Sequence, residues 1–244
     1  MSVKSSHCEP DVDALHVPGG GDVHVWRIQL DQHPAVVRQL WGMLNHTERA
    51  RASRFRFARD RDRFTVAHAA LRSILSGYLG IAPSDVRFRT LAYGKPAVDG
   101  DTVIRFNLSH SGDLALCAIA GEREIGVDIE QTRPDLDWEC LARRFFSADE
   151  VAALAALDPE QRIEGFVRCW TRKEAYLKAR GEGLSLPLDS FTVLPVPDRS
   201  ITERWQIVDL KPAPGYGAAL AVEGRVHRVC CCDWKATLAL SVTF

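Results

Sequence analysis

The sequence has almost no net charge and no long apolar run. Its 31 Lys and Arg side chains nearly balance 32 Asp and Glu, which leaves a formal charge of -1 over 244 residues. This balance gives no general attraction to nucleic acid or to anionic membranes, so a charged partner must meet a local patch. No stretch approaches the ~20 apolar residues that cross a bilayer, and the polar first residues lack the apolar core of a signal peptide. We expect a cytoplasmic protein that binds neither nucleic acid nor membrane.

Paired cysteine motifs are also missing. The seven cysteines are odd in number and form no C-x-x-C pair, which favours reduced thiols over a disulfide framework. Three of them are consecutive near the C-terminus and cannot easily converge on one zinc ion if they lie on a strand. They are better explained as small core residues. The seven are Cys8, Cys117, Cys140, Cys169, Cys230, Cys231 and Cys232.

One short segment places two carboxylates side by side. In Ile125–Glu130 apolar and other residues alternate, which predicts a strand. Residues two apart on a strand share a face, so Asp128 and Glu130 point the same way while Ile129 points into the core. Because the two negative charges repel each other, a positive group is expected between them. The alternative is an exposed strand whose charges discourage aggregation at the sheet edge.

A second segment adds a carboxylate and an ammonium group. Trp170, Glu174 and Lys178 recur at i, i+4 and i+8, and therefore lie on one stripe of a helix. If this helix covers the strand, three carboxylates and a lysine meet. Oxygen ligands without His or Cys suit a hard divalent cation, Mg²⁺ before Zn²⁺. Considered alone, Glu174 and Lys178 could equally be a surface ion pair worth about 0.3–0.5 kcal/mol.

Taken together, these segments resemble a known signature. Gly-Val-Asp-Ile-Glu, followed some forty residues later by Trp-Thr-Arg-Lys-Glu-Ala-Tyr-Leu-Lys, is similar to the signature of the 4'-phosphopantetheinyl transferases. The spacing looks like that of the larger type, which activates surfactin synthetase (Sfp type). Further segments resemble the family in family order and extend the match over roughly residues 49–191; they are Tyr93–Pro96, Phe106–Gly112, Arg144–Ser147 and Gly183–Phe191.

The resemblance implies a reaction. A serine of an apo acyl or peptidyl carrier protein would attack the β-phosphate of coenzyme A, take up the 4'-phosphopantetheine arm and release adenosine 3',5'-bisphosphate. Mg²⁺ would bind Asp128, Glu130 and Glu174. Lys178 would add fixed positive charge, and Glu174 would take the serine proton, directly or through a metal-bound water. The residues implied to contact coenzyme A are Arg51, Arg63, Lys95, Ser109, His110, Asp128, Lys173 and Lys178.

Several alternatives stay open at this point. The arginine-rich run 49–63 could be a solvated helix face, a nucleic-acid patch or, by resemblance, the grip on the 3'-phosphate and adenine of coenzyme A. Glu48 stands where the surfactin-type proteins tend to place a lysine. A non-catalytic relative that binds coenzyme A or a carrier, or a Mg²⁺-dependent phosphohydrolase, could use the same residues. The natural carrier could belong to fatty-acid, polyketide or nonribosomal-peptide synthesis.

The same patterns predict an α+β fold. Helix, glycine-containing turn and strand occur at 64–88 and again at 166–191, a weak internal repeat that agrees with the pseudo-two-fold pair of similar α/β halves implied by the resemblance. A monomer is the natural expectation for such a chain. The predicted organisation is a flexible arm over residues 1–21, an N-terminal half over 22–121 and a C-terminal half with the metal site over 122–244.

Local signals mark the ends of several elements. Asn45 with Glu48, and Ser147 with Glu150, have the spacing of capping boxes that begin helices. We expect one arginine-rich helix after Asn45 and a long helix that begins at Asp158–Pro159. Strands are expected over 184–193 and over 237–244, at the end of the tail.

Overall fold

Two β-sheets face each other across an apolar interface, and each carries a long helix on its outer side. The computed structural model describes residues 4–7 and 15–236. One core lies between the first sheet and its helix, a second between the two sheets, and a third between the second sheet and its helix. The α+β class predicted from the sequence is confirmed. Among the described residues, no helix is long and apolar enough to cross a membrane.

The first part of the chain forms two strands, three helices and four further strands. Helix α3 is the long one, and its apolar side chains cover the first sheet. In chain order the elements are β1 Lys4–His7, β2 Asp22–Gln29, α1 Pro34–Trp41, α2 His46–Ala52, α3 Ala58–Leu79, β3 Phe88–Thr90, β4 Pro96–Val98, β5 Ile104–Ser111 and β6 Leu114–Gly121.

The second part repeats this plan with different connections. Helix α6 is its long helix and covers the second sheet. The elements are β7 Ile125–Gln131, α4 Trp138–Phe145, α5 Ala148–Ala155, α6 Arg162–Arg180, α7 Arg199–Thr202, β8 Trp205–Leu210, β9 Tyr216–Glu223 and β10 Arg228–Trp234.

The last strand of the described residues, β10, crosses back to the first sheet. The strand order is β1-β10-β2-β6-β5 in the first sheet and β7-β9-β8 in the second, while β3 and β4 form a separate pair. Strand β10 runs parallel to β2, with Arg228 opposite Asp22. Strand β10, which the sequence analysis places in the C-terminal half, therefore completes the hydrogen bonds of β2 in the first sheet. Residues 4–7, predicted as part of a flexible arm, form a strand parallel to β10.

Both predicted capping boxes are present. The Asn45 side chain accepts from the Glu48 N–H at 2.9 Å, and the Glu48 carboxylate accepts from the Asn45 N–H at 2.8 Å. Ser147 and Glu150 exchange the equivalent pair of bonds at the start of α5. Each box satisfies two backbone groups that the first turn of a helix leaves unpaired.

Three predicted element bounds are wrong. The arginine-rich run does not lie on one helix, because α2 ends at Ala52 and α3 begins at Ala58. The long helix α6 begins at Arg162, after a separate 3₁₀ turn over Pro159–Gln161. The predicted strand over 184–193 is replaced by two 3₁₀ turns, whose carbonyls bond within the loop and to helix α6. The predicted strand over 237–244 lies outside the described residues.

Candidate functional site

A glycine brings the long helix α6 into direct contact with strand β7. A Cβ atom at Gly126 would stand 2.1 Å from the Ala175 carbonyl oxygen and 2.3 Å from the Ala179 nitrogen. Only a residue without a side chain permits such an approach of two backbones. Asp128 follows Gly126 on the same face of β7, so it lies under the turn of α6 that carries Glu174.

The contact between β7 and α6 creates a shallow pocket of about 400 Å³. Six residues predicted from the sequence line it: the three carboxylates, Lys178, and the Ser-His pair at the end of β5. Trp170 closes one side, as the helical stripe predicts. The full lining is Leu108, Ser109, His110, Asp128, Glu130, Trp170, Glu174 and Lys178.

Asp128 is the centre of the pocket's hydrogen bonding. Its side chain is buried, and one oxygen, Oδ1, accepts from Lys178 Nζ at 2.6 Å and from Ser109 Oγ at 2.8 Å. Lys178 Nζ also donates to Ser109 Oγ at 2.9 Å. The second oxygen, Oδ2, is buried and has no hydrogen-bond partner among the described residues. A buried carboxylate oxygen without a partner is costly unless a cation or a donor reaches it.

All three carboxyl groups favour their protonated form more than usual. Burial raises the pKa of Asp128, and the nearby Lys178 ammonium only partly opposes this. Burial also raises the pKa of Glu130, with a further contribution from the charge of Asp128. For Glu174, burial and then repulsion from Asp128 and Glu130 raise the pKa. The three groups therefore hold more negative charge in one place than Lys178 alone compensates.

Strand β5 reaches across to β7 through alternate side chains. Asn107 Oδ1 accepts from the Val127 N–H at 2.9 Å, and Ser109 binds Asp128 as described. Ser111 Oγ donates to Glu130 Oε2 at 2.7 Å and accepts from the Gln131 N–H at 3.0 Å. These bonds join the two sheets where their edges meet. The sequence interpretation did not single out Asn107 or Ser111, although polar residues two apart in an otherwise apolar strand signal such a face.

Positive groups gather around His110 at the mouth of the pocket. Desolvation by its neighbours lowers the pKa of His110, and the charges of Lys178, His68, Arg51 and Arg63 lower it further. These residues come from α2, α3, β5 and α6, so the fold assembles them from distant parts of the sequence. Such a group is suited to an anion, because each cation loses repulsion when a phosphate binds among them.

The two arginines predicted to hold coenzyme A differ in their surroundings. Arg51 is exposed on α2, with its guanidinium 5.2 Å from the centre of the Phe64 ring. Arg63 lies on α3 and forms an ion pair with Asp113 in the turn between β5 and β6. Glu48, at the position where a lysine was expected, is buried and bonded to Arg72. It therefore faces the interior of the first half and offers no grip on a phosphate.

Two lysines predicted to contact coenzyme A have ammonium groups that are bonded within the protein. Lys173 is fully buried and bonded to Glu150 at 2.7 Å, so it is not available to a ligand in the pocket. Neighbouring residues on a helix point in directions about 100° apart, which turns Lys173 away from the site that Glu174 faces. The Lys95 ammonium is nearly buried and bonds Glu124 at 2.7 Å and the Ala179 carbonyl at 2.9 Å. It ties the end of helix α6 to the start of β7.

The three carboxylates have the chemistry that a divalent cation needs, although they are not already grouped as a metal-binding cluster. Within residues 4–7 and 15–236, no three His, Cys, Asp or Glu side chains are grouped closely enough to hold a metal ion. Three oxygen donors nevertheless line one pocket, and one of them, Asp128 Oδ2, is buried without a partner. Their mutual repulsion would fall on binding a cation. The donor set is that of Mg²⁺ rather than of a softer metal.

Comparisons with known proteins match most of the chain. Residues 124–230 match the sequence model described as the 4'-phosphopantetheinyl transferase superfamily, and residues 28–124 match that described as 4'-phosphopantetheinyl transferase, N-terminal. The chain is 42% identical over 210 residues to 4'-phosphopantetheinyl transferase HetI of Nostoc, covering 83% of this chain and 88% of that protein. It is 40% identical over 146 residues to 4'-phosphopantetheinyl transferase Sfp of Bacillus subtilis, covering 60% and 64%.

Proposed function

The chain belongs to the 4'-phosphopantetheinyl transferase superfamily, and from this premise we propose how its own residues perform the reaction. The enzyme transfers the 4'-phosphopantetheine arm of coenzyme A to a carrier protein. The acceptor is a serine hydroxyl of an apo acyl or peptidyl carrier domain, and adenosine 3',5'-bisphosphate is the leaving group. The observation that supports this best is that one pocket is lined by three carboxylates, Lys178 and His110, and that the charges of Arg51 and Arg63 lower the pKa of His110.

Coenzyme A would bind with its phosphates along the positive rim of the pocket. His110 and Ser109 at the end of β5 are proposed to contact the pyrophosphate, with Lys178 beside them. Arg51 is exposed and close enough to act on His110, so it is proposed for the 3'-phosphate end. Arg63 is proposed for the same end, where a phosphate would compete with Asp113 for its guanidinium. This arrangement leaves the pantetheine phosphate at the carboxylates.

Asp128, Glu130 and Glu174 are proposed to hold Mg²⁺. When bound, the metal would neutralise negative charge on the pyrophosphate oxygens. The chain prepares the ligands before the metal binds. Ser109 and Lys178 orient Asp128 through Oδ1, which leaves Oδ2 for the cation, and Ser111 orients Glu130.

Glu174 is proposed as the group that accepts the proton of the carrier serine. It is half-buried on α6, and burial together with two carboxylate neighbours raises its pKa towards the working range of a general base. Lys178 lies one turn further along the same face and places a fixed positive charge beside the reacting phosphate. The attack breaks the bond between the β-phosphorus and the bridging oxygen, which stays with adenosine 3',5'-bisphosphate.

One assay tests the proposal against its two alternatives. The protein is incubated with coenzyme A, Mg²⁺ and a panel of apo carrier domains from fatty-acid, polyketide and nonribosomal-peptide systems, and products are read by mass spectrometry. A phosphopantetheine mass gain on the carrier, with release of adenosine 3',5'-bisphosphate, is the expected result. Binding of coenzyme A without turnover would indicate a regulatory relative. Coenzyme A breakdown without carrier modification would indicate a phosphohydrolase.

The cellular setting is part of the same proposal. We expect polyketide or nonribosomal-peptide carriers as the natural substrates, and a monomer that works in the cytoplasm. The monomer is supported by the site itself, because β5 from the first sheet and β7 with α6 from the second complete the pocket within one chain. Light scattering after gel filtration measures this mass directly.

A further inference from the structure

A fully buried charged pair lies outside the pocket, in the interior of the second half. Lys173 on α6 and Glu150 on α5 both have 0% side-chain exposure, and their charged atoms are 2.7 Å apart. The Lys173 ammonium also donates to the carbonyls of Leu188 and Phe191, at 2.7 and 2.5 Å. Glu150 accepts from the Val193 N–H at 2.7 Å. The pair thus fastens α6 to α5 and to the loop that follows α6.

An equivalent pair lies in the first half. Glu48 on α2 accepts from Arg72 Nε on α3 at 2.7 Å, and both side chains are buried. The Arg72 guanidinium donates to the carbonyls of Pro83 and Val86, at 2.9 and 3.0 Å, in the loop that follows α3. Each pair therefore links a short helix, the next long helix and the loop after it.

The two pairs occupy matching positions in the sequence. Glu48 and Glu150 are both the acidic member of a capping box. Arg72 precedes the C-cap glycine of its helix, Gly80, by eight residues, and Lys173 precedes Gly181 by the same number. Each cation also lies over an aromatic ring of the following loop or strand, Phe88 in the first half and Phe191 in the second. The internal repeat predicted faintly from sequence thus includes an anchor for each long helix.

In the first half, the anchored helix α3 carries none of the proposed catalytic groups. Where α3 covers β2, the side chains that meet are Trp26 and Tyr78, and the Trp26 indole donates to the Tyr78 hydroxyl at 3.0 Å. In the second half, the contact between β7 and α6 includes Asp128 and Lys178. Each buried ion pair therefore fixes a long helix to its half, and in the second half that helix carries the proposed catalytic groups Glu174 and Lys178.

We propose that Lys173 and Glu150 are positioning residues that set the place of α6 and thereby of Glu174 and Lys178. Lys173 is adjacent to Glu174 in sequence, so a shift of its anchored ammonium moves the carboxylate that faces the pocket. This inference rests on the proposed transferase reaction, and the wild-type assay on carrier protein tests that reaction separately. A displacement of about 1 Å in a catalytic group can cost 10²-fold in rate.

The test compares Lys173→Met with the matched variant Arg72→Met. Each removes a buried cation from one anchor, so the melting temperature of each should fall, by about 10 °C. At a temperature where circular dichroism finds all proteins folded, Lys173→Met should lower kcat by about 10- to 100-fold. Its KM for coenzyme A should change less than about 3-fold. Arg72→Met should keep kcat within about 2-fold of the wild type.

Two further variants keep the inference open to refutation. Lys173→Arg should recover most of kcat, because Arg72 forms the same set of bonds at the matching position. If Lys173→Met does not fold, Glu150→Gln with Lys173→Met removes both charges and takes its place. A normal kcat per folded molecule in the second-half variants would overturn the inference. So would an equal loss in Arg72→Met, or a rise in KM alone, which would indicate direct contact with coenzyme A.

Discussion

Lys178 Nζ lies 2.6 Å from Asp128 Oδ1 and joins helix α6 to strand β7 inside the pocket. The other oxygen of the same carboxylate, Oδ2, is buried and has no hydrogen-bond partner in the part of the chain that the structure describes. Asp128 can therefore bind a second cation without giving up the first. Asp128 therefore contacts the Lys178 ammonium, a fixed positive charge of the protein, and is also free to bind the proposed metal ion.

Removing Asp128 should eliminate the metal-dependent reaction. Asp128→Ala takes away the ligand with the unpartnered oxygen, so Mg²⁺-dependent turnover should fall below detection at ordinary Mg²⁺ concentrations. Glu139→Ala, which removes an exposed carboxylate on α4, is the control and should be active. Binding of Mn²⁺ followed by electron paramagnetic resonance provides a readout independent of turnover. Near-normal activity of Asp128→Ala would contradict the assignment.

Glu174→Gln separates proton transfer from metal binding. The change keeps the size of the side chain but removes its charge and its ability to accept a proton. Turnover should fall by about 10²–10⁴-fold from the loss of general-base catalysis alone. Coenzyme A should still bind by calorimetry, because its proposed phosphate contacts are unchanged. The measurement is kcat across a Mg²⁺ titration, and full recovery at high Mg²⁺ would mean that Glu174 is a ligand only.

His110 should affect the binding of coenzyme A in a pH-dependent way. His110→Ala should raise KM for coenzyme A about 10-fold, the loss of one charged hydrogen bond of about 1.5–3 kcal/mol. The pKa of His110 is lowered, so its imidazole gains a proton only as the pH falls below its ordinary value near 6.5. Protonation of His110 should therefore strengthen the binding of coenzyme A to the wild type as the pH falls. The ratio of the KM of His110→Ala to that of the wild type should grow from pH 7 to pH 5.5. A constant difference would contradict this.

Lys95 should behave as a structural residue. Lys95→Met removes the bonds from its ammonium to Glu124 and to the Ala179 carbonyl at the end of α6. We expect the free energy of unfolding to fall by about 1–3 kcal/mol, measured by chemical denaturation. The KM for coenzyme A should stay within about 2-fold of the wild type. A 10-fold rise in KM without loss of stability would restore the phosphate contact first predicted for Lys95.

His24 should make the fold less stable in mild acid. Its pKa is lowered, chiefly by burial, and its Nδ1 lies 2.6 Å from the Tyr78 hydroxyl, which also accepts a hydrogen bond from the Trp26 indole. The unfolded state therefore binds more protons than the folded state once the pH falls below about 6.5. Stability from this site is complete above that pH and is lost as the pH falls through the lowered pKa. The stability advantage of wild type over His24→Gln, measured by denaturation at pH 7.5 and pH 5, should shrink at the lower pH.

The sequence by itself determined several of the local elements and which chemical groups share the pocket. Alternation over 125–130 placed Asp128 and Glu130 on one face, and the stripe of Glu174 and Lys178 placed them together on a helix. Both capping boxes were predictable because they depend on residues three apart. These signals are local, because each depends on the backbone geometry of a few consecutive residues. The order of side-chain types along a short segment reflects that geometry well.

Tertiary structure decided which of the predicted residues reach the site. Lys173 and Lys95 have the charge that a phosphate contact needs, but both ammonium groups are committed to buried bonds with distant partners. Ser111 donates to Glu130 because strand β5 meets β7 at the junction of the sheets. Strand β10 belongs to the first sheet because it pairs with the edge of β2. Such pairings depend on contacts between residues far apart in sequence, which the pattern of any one segment does not contain.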